Sequence, residues 1–154
     1  MAIAYLGLGT NLGNKDENLN GAVEYIRERV GRINSLSAFY VTEPWGFKSE
    51  NSFLNAVCSV ATDISPIELL YITKEIEKEM GRNKKSVDKI YSDRIIDIDI
   101  LLYDDLIMQS EELTIPHPIM TERDFVMIPL AEIAPELVHP VLKKKMKEFL
   151  KYRF

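Results

Sequence analysis

Four β-prone runs and two amphipathic stretches, in the order β-α-β-β-α-β, predict an α+β fold for this 154-residue chain. That order is the ferredoxin-like arrangement, an antiparallel sheet with both helices on one face, here followed by a helical C-terminal extension. No repeat, low-complexity tract or linker-like stretch divides the chain, so residues 1–154 read as a single domain.

The first strand, residues 2–8, is apolar and stops at the Gly9-Thr10-Asn11 turn. A helix follows: Asn14 and Glu17 have capping-box spacing, and Leu19, Ala22, Val23, Ile26 and Val30 form a stripe ending at Gly31. Residues 35–41 and 53–61 read as strands, joined by a loop that holds Pro44 and Gly46. Ser65-Pro66-Ile67-Glu68 is a strong helix start, and its stripe of Leu69, Ile72, Ile76 and Met80 stops at Gly81. Residues 82–93 are charged and without periodicity, which predicts an exposed loop. Residues 95–102 return to strand character, and the Asp104-Asp105 turn leads into a short apolar piece, Leu106-Ile107-Met108. Residues 121–133 read as mainly helical with a kink or break at Pro129. The last helix is predicted over 140–152, with Leu142, Met146, Phe149 and Leu150 on one face and Lys143, Lys144, Lys145 and Lys147 on the solvated one.

Composition excludes several classes of function. The chain is 46% hydrophobic and 28% charged, which is globular. It has 24 acidic against 19 basic residues, a net charge of −5, and so lacks the basic field of a general nucleic-acid binder. A single cysteine, Cys58, rules out an internal disulfide and a cysteine-built zinc site. No segment approaches the roughly 20 apolar residues of a membrane span, and no basic region precedes the apolar start. A soluble cytoplasmic protein is the expectation.

The sharpest chemical feature is Asp97-Ile98-Asp99 in an otherwise apolar strand. Alternation sends both carboxylates to one face, about 7 Å apart at Cα, while Ile96, Ile98 and Ile100 point into the helix-covered core. Two carboxylates there need compensation, either by a hard cation such as Mg²⁺ or by Arg94 or a lysine in a purely structural pairing. Arg82, Lys84, Lys85, Lys89 and Arg94 gather on the loop that feeds this strand. That is the charge a polyphosphate would meet, or simply a solvated loop. His117 stands between Pro116 and Pro118, which suits a fixed hydrogen bond to a ligand or a structural turn; His139 is read as structural. Phe53, Asn55 and Val57 share one strand face, an aromatic plane beside a carboxamide that suits a flat heterocycle, with Phe125 or Trp45 as the opposing surface. Gly7-Leu8-Gly9-Thr10-Asn11-Leu12-Gly13 is set aside as a dinucleotide fingerprint, because its third glycine falls one residue late and the parallel context is missing. Cys58 reads as a small buried hydrophobe.

Several ordered segments run over nearly the whole chain: residues 4–13, Phe39-Tyr40-Val41-Thr42-Glu43-Pro44, Phe53-Leu54-Asn55-Ala56, Ile76-Glu77 and Gly81-Arg82. They continue with Arg94-Ile95-Ile96-Asp97-Ile98-Asp99, Pro116-His117-Pro118, Arg123-Asp124-Phe125, Pro129-Leu130 and Ile133-Ala134-Pro135. In order and spacing the chain resembles the 6-hydroxymethyl-7,8-dihydropterin pyrophosphokinases of folate biosynthesis. Ser92-Asp93 stands where many members have Gly-Pro, and Pro118 where an aromatic is common.

The resemblance implies a ferredoxin-like fold and transfer of the β,γ-diphosphate of ATP to the pterin hydroxymethyl group, releasing AMP. It implies that Asp97 and Asp99 ligate two Mg²⁺ ions and that Arg82 and Arg94 neutralise the transferring group. Phe53 and Phe125 would sandwich the pterin, while Asn55 and the Thr42, Glu43 and Trp45 segment would read its edge. Glu77, Ile100, His117 and Arg123, together with Arg82 and Arg94, would lie against the nucleotide. The implied partners are ATP and the pterin, with neither nucleic acid nor membrane, and a monomer is expected. The residues themselves also suit another metal-dependent nucleotidyl or phosphoryl transferase, or a non-catalytic small-ligand module. Release of AMP rather than pyrophosphate separates the first of these from pyrophosphoryl transfer.

Overall fold

The computed structural model describes residues 1–42, 52–81 and 95–150. Strand β1 (Ala2–Thr10) leads to helix α1 (Lys15–Arg29), then β2 (Arg32–Leu36), β3 (Tyr40–Thr42) and β4 (Phe53–Thr62). Helix α2 (Pro66–Gly81) and strand β5 (Asp97–Tyr103) complete the main frame. The sheet order is β2-β4-β1-β5, with β3 also on β4, and every pairing is antiparallel. This is the ferredoxin-like arrangement.

Period-two alternation separates two cores. Ala4, Leu6 and Leu8 of β1, Ala56, Cys58 and Val60 of β4, and Ile98 and Ile100 of β5 meet Leu19, Ala22, Val23 and Ile26 of α1 and Leu69 and Ile76 of α2. Burial there pushes the Cys58 thiol up to about 12, so it acts as an inert apolar group. On the opposite face Val57, Leu101 and Leu102 pack under Met120, Val126, Met127, Leu130 and Met146. These come from helix α3 (Asp124–Ile133) and the 3₁₀ turns Met120–Glu122 and Met146–Leu150. A register shift between Tyr5 and Leu6 opposite β5 lets Leu102 join Leu101 on that face. The second core takes one end of the face; the ends of β4 and β5 that carry Phe53, Asn55, Asp97 and Asp99 are not part of it.

Both helix starts follow the sequence. The Asn14 side chain accepts from Glu17 N at 3.1 Å, and Ser65 Oγ donates to Glu68 Oε1 at 3.1 Å. Other expectations need correction. Strand β1 runs on through Gly9 and Thr10, which pair with Asn55 and Leu54 instead of forming a turn. The strand predicted over 35–41 is two strands, because Ser37 interrupts the ladder. Its hydroxyl accepts from Val57 N at 3.0 Å, while its own N–H donates to Val57 O at 2.9 Å. Pro129 does not break α3, whose buried Val126, Met127, Leu130 and Ala131 hold it against the sheet as far as Ile133. The short apolar piece ends in β6 (Met108–Gln109), which pairs with β7 (Thr114–Ile115). The loop expected over 82–93 lies outside the described residues.

The C-terminal helix is also corrected. Residues 139–145 form a turn instead, with Lys143 at a left-handed φ of 62° that a continuous helix cannot contain. His139, 5% exposed, organises the turn: its Nδ1 accepts from Val141 N at 3.2 Å and Leu142 N at 3.1 Å. Leu142 is consequently exposed, whereas Met146 is fully buried. Lys145 and Lys147 pair with Glu136 at 2.8 Å each. Burial holds the His139 imidazole below its usual value. The unfolded chain therefore takes up a proton first, and stability is lost as pH falls below about 6.5. His139→Asn keeps an acceptor that does not titrate. Melting curves at pH 7.5 and 5.5 should show a smaller drop for this variant than for wild type, and equal drops would refute the role of His139.

Candidate active site

Strand β1 divides the open face of the sheet. Its register places Gly9 between Asn55 on β4 and Asp97 on β5, and Gly7 between Val57 and Asp99. Two strand spacings, roughly 10 Å, thus separate the carboxamide strand from the carboxylate strand. Neither glycine has a side chain, so bare backbone floors the space between them. A Cβ on Gly9 would come within 2.9 Å of Asn55 Oδ1 and 3.7 Å of Phe53 Cδ1. Glycine is what allows the amide to lie there.

The Asn55 amide is nearly fully buried, and its Nδ2 donates to Thr42 Oγ1 at 2.7 Å. That bond sets which edge of the amide faces outward. Phe53 pairs with Thr42 across the β3–β4 ladder and stays partly exposed, so its ring can receive a planar ligand. Lys15 Nζ donates to Ser52 O at 2.9 Å, tying the start of α1 to the residue before Phe53.

On the other side of the floor, Asp97 and Asp99 are half-buried on the edge strand β5. Glu77 reaches across from α2, and its Oε2 accepts from Ile98 N at 2.7 Å. It thereby satisfies an outward backbone donor between the two aspartates. Burial pushes the Glu77 carboxyl up to about 7; the Ile98 N–H opposes this, Asp97 adds to it, Lys74 opposes it and Asp99 adds a smaller push. His117 N donates to Leu101 O at 3.0 Å, which fixes the residue beside β5. Burial, and then the Arg123 charge, holds the imidazole below its usual value despite Asp97, so it is neutral at pH 7. Its Nδ1 is buried and has no hydrogen-bond partner among the described residues. The Arg123 guanidinium carbon lies 5.5 Å from the centre of the Phe125 ring, at the start of α3.

The fold thus gathers Thr42, Phe53 and Asn55 on one side of β1. On the other it gathers Glu77, Asp97, Asp99, His117 and Arg123. Phe125 comes from the start of α3, next to Arg123, and belongs to neither strand. Ile100 faces the other way: its side chain is buried in the helix-covered core, so only its main chain can meet a nucleotide. Glu43, Trp45, Arg82 and Arg94 lie outside the described residues. Sequence reasoning missed the role of Gly7 and Gly9. The available signal was glycine inside a strand pattern, which marks close approach of another group. It also missed the contact from Glu77 to Ile98, for which a carboxylate at one position of a helix gives no signal.

The donor set suits Mg²⁺. Two carboxylates are offered, and among the described residues no cluster of three His, Cys, Asp or Glu forms a cage. Mg²⁺ typically takes one or two carboxylates and keeps water or phosphate oxygens as its remaining ligands.

Residues 5–135 match the family described as 7,8-dihydro-6-hydroxymethylpterin-pyrophosphokinase (HPPK). The chain belongs to the HPPK family. Membership makes it a pyrophosphokinase of folate biosynthesis with ATP as co-substrate. A relative from Porphyromonas gingivalis (strain W83), named 2-amino-4-hydroxy-6-hydroxymethyldihydropteridine pyrophosphokinase, is 52% identical over 141 residues, covering 91% of this chain and 95% of the relative. A relative of the same name from Aquifex aeolicus is 41% identical over 149 residues, covering 97% and 91%. The crystal structure of wild-type HPPK-DHPS from Plasmodium falciparum superposes with a TM-score of 0.81 at 18% identity. It covers 99% of this chain and 44% of that one, so the likeness is one of fold with part of a longer protein. In this HPPK, the glycine floor separates the Phe53 and Asn55 side from the Asp97 and Asp99 side. Among the described residues no helix is long and apolar enough to cross a membrane.

Proposed function

We propose that this HPPK binds 6-hydroxymethyl-7,8-dihydropterin on the Phe53 and Asn55 side of β1 and the ATP polyphosphate on the Asp97 and Asp99 side. The observation that supports the reading is the register Asn55–Gly9–Asp97, which brings the amide strand and the carboxylate strand to either side of bare backbone. Phe53 and Phe125 stack on the pterin, and the Asn55 amide, oriented by Thr42, reads its edge with the segment through Glu43 and Trp45. Asp97 and Asp99 ligate two Mg²⁺ ions. Held there, the ions would supply positive charge to screen the phosphates. Arg82 and Arg94 neutralise the transferring group, while Glu77, His117, Arg123 and the Ile100 main chain line the nucleotide.

The pterin hydroxymethyl oxygen attacks the β-phosphorus of ATP. The bond to the α,β-bridging oxygen breaks, AMP leaves, and the hydroxyl proton passes to solvent. No strong side-chain nucleophile is needed, because positioning and charge stabilisation suffice for phosphoryl transfer. We read residues 1–154 as one domain acting as a cytoplasmic monomer on these small molecules. Mass spectrometry of products from ATP, Mg²⁺ and the hydroxymethyl pterin tests the reaction. AMP and the pterin diphosphate are expected in equal amounts, and free pyrophosphate without a diphosphorylated pterin would overturn the reading.

A further inference from the structure

We propose that Glu132 is a positioning residue for the heterocycle subsite, acting through Tyr40 and β3; this rests on the placement of the pterin at Phe53 and Asn55. The Glu132 carboxylate accepts from Ala38 N at 3.2 and 3.1 Å and from the Tyr40 hydroxyl at 2.6 Å. That hydrogen bond raises the Tyr40 phenol above its usual value, so it remains a donor over the working pH range.

Strand β3 needs such a hold. Among the described residues it spans Tyr40–Thr42 and pairs with β4 alone, and it follows the interruption at Ser37. Two of its residues bear on the subsite. Tyr40 is the ladder partner of Asn55, and Thr42 is both the ladder partner of Phe53 and the acceptor for Asn55 Nδ2. Glu132 therefore fixes the strand that orients the amide. It also ties that strand to α3, where Phe125 lies seven residues earlier, two helical turns along the same face. One carboxylate thus links the element that bears Phe125 to the element that aims Asn55. A surface latch that only added stability would leave ligand affinities unchanged.

The test uses the full chain, with pterin and ATP dissociation constants measured separately by calorimetry, and melting temperatures as a control on folding. Glu132→Ala should weaken pterin binding about 10-fold and Tyr40→Phe about 3-fold, equivalent to about 1.4 and 0.7 kcal/mol. ATP affinity should stay within about 2-fold. Glu132→Gln, which keeps an acceptor, should recover part of the loss. The Asn55 side-chain amide resonances should shift in Glu132→Ala without ligand. Unchanged pterin affinity in both Glu132→Ala and Tyr40→Phe, or equal loss of ATP and pterin affinity, overturns the proposal. Tyr40→Phe carries the test if Glu132→Ala does not fold. Asn55→Ala separates the two layers. If it weakens pterin binding while the latch variants do not, the latch role alone fails. If it has no effect, the subsite reading fails and takes the latch role with it.

Discussion

Asp97→Ala is expected to lower kcat at saturating ATP, pterin and Mg²⁺ by about 10³-fold. The melting temperature should move by no more than about 2 °C. The aspartates are half-buried on an edge strand, two residues apart on one face, so removing one relieves like charge and opens no cavity in either core. Asp97→Asn should behave in the same way, because shape without charge does not hold a divalent cation. The Asp97→Ala, Asp99→Ala double variant should be little worse than either single one, as expected for groups that act as a unit. Steady-state kinetics with a Mg²⁺ titration decide the matter. Wild-type kcat in a folded Asp97→Ala protein would return the pair to a structural role.

Gly9→Ala should raise the KM for the pterin about 10- to 100-fold and leave that for ATP nearly unchanged. The new methyl group would sit 2.9 Å from Asn55 Oδ1, closer than carbon and oxygen can approach. The amide is the end of a side chain, so it turns away instead of unfolding the sheet. In turning it loses its bond to Thr42 and its alignment with a ligand edge. Gly7→Ala is the control: its Cβ would meet Leu101 at 3.5 Å, an ordinary contact, and pterin KM should stay within about 3-fold. Equal effects from the two substitutions, or none from Gly9→Ala, would remove the glycine floor from the account of the site.

The two glycines also show what local sequence does not encode. Gly7 and Gly9 were visible as a motif, but a glycine-rich run has several uses. Its use here depends on which strands lie on either side. Strand β1 continues past Gly9 for the same reason: the ladder partners Asn55 and Leu54 lie more than forty residues away. Residues 140–145 depart from the predicted helix for a different reason. A stripe of apolar residues with lysines between them satisfies helical spacing, yet the His139 ring captures the backbone N–H groups of Val141 and Leu142. A side chain competing for backbone donors leaves little mark in a periodicity.

What the sequence determined by itself was local. Alternation put Asp97 and Asp99 on one face of their strand, and Phe53, Asn55 and Val57 on one face of theirs. Cap and stripe placed both helices of the frame, and element order implied the sheet. These follow from backbone geometry over a few residues, so they hold before any tertiary contact forms. Only the tertiary structure decided that Gly9 stands between Asn55 and Asp97, that Glu77 holds the edge of β5, and that Glu132 grips β3. Each joins residues distant along the chain, and such pairings are fixed by register and packing, which no single segment encodes.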